Sequence, residues 1–93
     1  MTIPQFLKIG GHTYQVVLTN DQSLLEGAQA CMDEREGTIW IDNTAPQTVQ
    51  ESSLIHEIFH ALNATLSEGD LGHALIESLS EQFYQVLHDN QLI

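Results

Sequence analysis

The sequence predicts an α+β fold: a small antiparallel sheet of three to four strands, followed by two antiparallel helices. Three observations carry this. Short runs rich in β-branched or alternating apolar residues are confined to about residues 5–42 and are punctuated by Gly10-Gly11 and Glu36-Gly37. Apolar residues then recur at three- and four-residue spacing over about 46–66 and again over about 71–88. Between those stretches lies only Ser67-Glu68-Gly69-Asp70, a break short enough to fold one helix back along the other. At 93 residues, with no repeat, linker or low-complexity tract, residues 1–93 form a single domain.

The elements follow in order. Phe6-Leu7-Lys8-Ile9 reads as a strand that turns at Gly10-Gly11 into His12–Thr19, where Tyr14, Val16 and Leu18 alternate with mostly polar neighbours. Asn20-Asp21 ends that run, and Leu24-Leu25 sits in an irregular connection closing at Gly27. Ala28–Asp33 and Thr38–Asp42 complete an antiparallel meander. Thr44-Ala45-Pro46-Gln47 has the form of a capping box, with Pro46 at the first helical position. Val49, Ile55, Ile58, Phe59, Leu62 and Leu66 give the first helix its apolar face. Asp70 is placed to cap the second helix, whose buried side is read as Leu75, Ile76, Leu79, Phe83, Val86 and Leu87.

Composition removes several classes of function. Thirteen acidic residues face two basic ones, Lys8 and Arg35, for a formal charge of -11. Phosphate contacts need Lys and Arg, so no nucleic-acid partner is expected, and no membrane surface either. A cation or a basic peptide would be attracted, and the acidity also favours solubility. The single cysteine, Cys31, forms no internal disulfide and reads as a small apolar side chain in a strand. No charged and apolar leader and no membrane-length run is apparent, so a cytoplasmic location is expected.

The chemistry concentrates in His56-Glu57-Ile58-Phe59-His60. Histidines four apart on a helix share one face, one turn apart, where two ring nitrogens reach one Zn2+. Glu57 is angled to reach a water on that ion as general base. Zinc needs a third protein ligand, and Glu68, Asp70, His73, Glu77 and Glu81 lie downstream. His60 stands six residues before Leu66 and Glu77 six after Leu71, each about 9 Å from the turn at the α-helical rise. Antiparallel helices therefore bring Glu77 level with His60, and Glu81 level with His56. Glu77 is the expected ligand, Glu81 the expected partner of the second ring nitrogen of His56, and His73 the rival ligand. Tyr84, on the same stripe, and His73 are candidates for polarising a substrate carbonyl. His12 and His88 have no spacing argument and read as surface residues.

The pair His56-Glu57-Ile58-Phe59-His60 and Glu77-Ser78-Leu79-Ser80-Glu81 resembles the gluzincins, with H-E-x-x-H on one helix and a ligating Glu on a later one. Length, leading strands and the ending Glu81–Leu87 resemble short single-domain gluzincin-type proteins of bacteria and phages. The metzincin pattern is absent, because Asn63 and Leu66 stand where its Gly and third His belong. The resemblance implies a zincin-like minimal domain and a zinc metallopeptidase, a hydrolase acting on a peptide or protein substrate. Zinc on His56, His60 and Glu77 would acidify a water, and Glu57 would take its proton and pass it to the leaving amine. The strand Thr38–Asp42, as a sheet edge, would receive the peptide. Two alternatives remain open: a non-catalytic zinc-containing binding or regulatory module, and an interaction domain without metal.

Overall fold

The computed structural model describes residues 1–66 and 69–93. The break predicted at Ser67-Glu68, and Glu68 as a ligand candidate, lie outside the described residues. The architecture is α+β, in the order β1 (Phe6–Ile9), β2 (His12–Thr19), α1 (Gln22–Leu25), β3 (Ala30–Asp33), β4 (Thr38–Asp42), α2 (Gln47–Ala64) and α3 (His73–Asp89).

The sheet is mixed rather than antiparallel throughout. Its order is β1-β2-β4-β3, and β2 runs parallel to β4, with Val16 opposite Ile39 and Leu18 opposite Ile41. Two antiparallel hairpins, β1–β2 and β3–β4, thus lie side by side. The cause is α1, a four-residue helix in the stretch read as irregular. Asp21 caps it by accepting from the Ser23 amide at 2.9 Å, and Leu25 is fully buried. This anchored turn carries the chain past the neighbouring position to the far edge, and β4 returns into the gap. Thr38–Asp42 is therefore an interior strand, not the sheet edge expected for it; the edge beside the helices is β3. Its burial fits, since Ile39 and Ile41 point into the core on one face while Trp40 and Asp42 between and beyond them are only half-buried.

Ile9, Tyr14, Val16, Ile39 and Ile41 of the sheet pack with Leu54 and Ala61 of α2 to form the core. At its N-terminus α2 uses a different device from the expected box. Pro46 is the capping residue, and the Thr44 hydroxyl donates instead to Asp42 Oδ1 at 2.7 Å. The buried Gln50 side chain reaches back to the Ala45 carbonyl at 2.9 Å. Likewise α3 starts at Gly72 without a side-chain cap, while Asp70 Oδ1 accepts from the Gly72 amide at 2.8 Å.

Among the described residues α3 packs on α2 and on no strand, so the domain is layered as sheet, α2, α3. This corrects the expected face of α3. Ile76 and Ser80 are buried, but Leu75, Leu79, Phe83 and Val86 are exposed, as are Leu62 and Leu66 of α2. The spacing identifies residues that share a side, and among the described residues no third layer covers it. No helix among the described residues is long and apolar enough to cross a membrane.

Candidate metal site

The middle of α2 faces α3, and the chemistry gathers there. His56 and His60 converge as their spacing requires, with Nε2 atoms 3.0 Å apart. Two neutral rings at this distance share one proton, one donating and the other accepting. Both are held below the usual histidine range. For His56 the cause is burial, opposed by the charges of Glu77 and Glu81; for His60 it is burial together with His56 and His73. Neutral imidazoles with available lone pairs are what a metal ion requires.

His73, the first residue of α3, completes the cluster. Its ring stacks on His60 at 5.0 Å and meets His56 edge-on at 5.7 Å. Among the described residues, His56, His60 and His73 form the group whose ligand atoms lie within 4.8 Å of one another. Glu77 falls outside that group as the side chains stand. It is adjacent to it, with Oε1 3.4 Å from His73 Nε2, and both side chains are exposed. The fit to a tetrahedral ion can be tested on these spacings. Bonds of about 2.0–2.1 Å put neighbouring ligand atoms about 3.3 Å apart. The two pairs, one per helix, are separated by 3.0 and 3.4 Å.

Glu57 is buried, and burial pushes its carboxyl up to about 7, against the opposing charge of His73. It lines a pocket with His56, Glu77, Ser80 and Glu81, and a neighbouring one with His60, His73 and Cys31. The edge strand β3 and residues Ala28 and Gln29 form the opposite wall.

The remaining expected residues stand apart from the histidines. Ser80, not Glu81, has its side chain nearest the second ring nitrogen of His56, with Oγ 3.5 Å from Nδ1 and also donating to the Glu77 carbonyl. The helices meet one residue out of the expected phase, and one residue is about 100° of helix rotation. Glu81 is exposed and acts on His56 through charge. The Tyr84 hydroxyl is committed to Glu51, donating to Oε1 at 2.9 Å. That phenol is raised to about 12, by burial and by the carboxylate beside it. Glu51 itself is buried; burial would raise its carboxyl, but hydrogen bonds from Gln47 and Tyr84 and the Met1 ammonium together hold it below the usual range. His12 and His88 are exposed, as expected.

Sequence spacing missed a clasp at the mouth of the site. Asn63, near the end of α2, donates to Asp70 Oδ1 at 2.9 Å and accepts from the Leu71 amide at 3.0 Å. With the Gly72 contact, this ties the approach of α3 to α2. The only advance signal was an Asn in the last turn of a helix, followed by Asp beyond the break. Compared with family models, with curated proteins and with solved structures, the chain has no significant match in any of the three.

Proposed function

We propose that the protein is a zinc-dependent metallopeptidase of gluzincin type, in which His56 and His60 from α2 and Glu77 from α3 hold the ion. The observation that carries this reading is the junction of two imidazoles 3.0 Å apart with a buried carboxylic acid on the next residue of the same helix. Zinc bound there would supply Lewis acidity toward a water and toward a peptide carbonyl.

The chain's own groups supply the rest. Glu57, with its carboxyl near neutrality, is matched to taking a proton from the attacking water and returning it to the leaving amine nitrogen. Burial of Glu57 keeps competing solvent from that carboxyl. The edge strand β3 flanks the same pocket, so an extended peptide pairing with it would pass the histidines with its backbone in register. The acidic surface favours a basic or neutral peptide over an acidic one. The unpaired Cys31 suits a reducing, cytoplasmic setting.

Metal content by mass spectrometry, on protein purified without added metal or a histidine tag, tests the site. About one zinc per chain is expected under the one-ion reading, lost in His60→Ala and held more weakly in Glu77→Ala. Glu57→Gln should keep the zinc and lose cleavage of a peptide library. Absence of zinc from the parent, even after reconstitution, would overturn the proposal.

A further inference from the structure

His73 is unusual for a residue at the mouth of a catalytic site. It is not a bystander by position: the Asn63–Asp70 clasp fixes the approach to α3, so the first residue of the helix is delivered against His60. Its ring stacks on His60 and meets His56 edge-on, and its ligand atom belongs to the same close group. Yet its side chain is 67% exposed, and its polar contact among the described residues is with Glu77. A group aimed at the cluster by its backbone, but not packed into it, can approach and leave without disturbing the core.

We infer that His73 is an exchangeable fourth protein ligand, which closes the metal site at rest and must swing away before water or a substrate carbonyl can take its place. This rests on the reading of the α2–α3 cluster as a zinc site. Four protein donors suit a closed, structural type of coordination, and three with an open position suit a catalytic one. Here one chain carries both sets, and they differ by a single exposed side chain. The device is self-inhibition by a histidine of the chain itself. Residues of β3 line the same pocket as His73, so a peptide seated along that strand would compete with His73 for the ion.

The test uses metals alone. Parent, His73→Ala and Glu77→Ala are titrated with Zn2+ against a competing chelator, and with Co2+ followed by visible absorption. Because His73 is exposed, its removal leaves the core intact, which circular dichroism checks. Expected for His73→Ala is one metal per chain with affinity lowered by roughly tenfold or more. Its cobalt band should be weaker and shifted as water replaces an imidazole. Added acetohydroxamate should perturb that band at lower concentration than in the parent. Equal affinities and superimposable cobalt spectra for parent and His73→Ala would overturn the inference and leave the zinc site standing. Loss of metal in His73→Ala, with retention in Glu77→Ala, would also overturn it, making His73 an obligatory ligand. A parent that binds neither metal would fail the zinc reading itself.

Discussion

Replacing Glu57 by glutamine should make the metal-free protein more stable at pH 8. The carboxyl has an ordinary value of 4.5 and is pushed up to about 7 by burial. Below pH 4.5 it is protonated in the folded and unfolded chains alike, so its protonation costs nothing there. Between about 4.5 and 7 the unfolded chain releases the proton first, and stability falls as pH rises. Above 7 the loss is complete. At about 1.4 kcal/mol per unit the difference is about 3.5 kcal/mol, and water at the pocket mouth reduces this to about 2–3 kcal/mol. Even 1 kcal/mol moves the melting temperature of a domain this size by roughly 4–8 °C. The assay is urea denaturation of both proteins at several pH values with a chelator present. The lowered histidines titrate in both, so the difference curve isolates Glu57. It should be flat below pH 4.5, rise through the interval and level off. Parallel stability curves for the two proteins would refute the reasoning. Saturating zinc should shrink the difference, because a nearby cation favours the carboxylate.

Three further outcomes are expected. Tyr84→Phe removes a hydrogen bond to the buried Glu51, so urea denaturation should show a loss of about 1–3 kcal/mol, with zinc stoichiometry unchanged. Leu54→Ala opens a cavity where α2 meets the sheet and should cost about 2–5 kcal/mol by the same measurement. Gly10 holds φ of +61°, and a Cβ there would collide with Thr65 Cγ2 at the end of α2. Gly10→Ala should therefore lower the thermal midpoint, whereas Gly69→Ala, with open space around it, should carry only the cost of its positive φ.

The parts of this molecule legible in its sequence are those set by short-range geometry. Two histidines four apart on a helix must share a face, and they do. The hairpin at Gly10-Gly11 and the two long helices also follow from local pattern. What escaped the sequence depends on distant partners. Nothing within β2 or β4 states that they pair in parallel; the decision lies in the capped α1 turn and its buried Leu25. Ser80 displaced Glu81 beside His56 because helix arithmetic fixes level to within a residue, and a residue is more than a quarter turn. Spacing along α3 puts Tyr84 on the histidine stripe, but its hydroxyl bonds to Glu51, a carboxylate on the other helix that no pattern within α3 reveals. The outward stripe of α3 has the spacing of a buried one, because periodicity reports which side chains stand together, not whether anything covers them.

Among the described residues α3 is attached to α2 alone, and this has a thermodynamic consequence. A helix held on one side by few buried residues is the piece most ready to detach while the sheet and α2 stay folded. An ion shared between α2 and α3 would act as a reversible cross-link, and its binding free energy would add directly to the cost of that opening. Metal affinity and amide-exchange protection along α3 would then report one and the same quantity, and stripping the ion would release the last helix well before the rest of the domain melts.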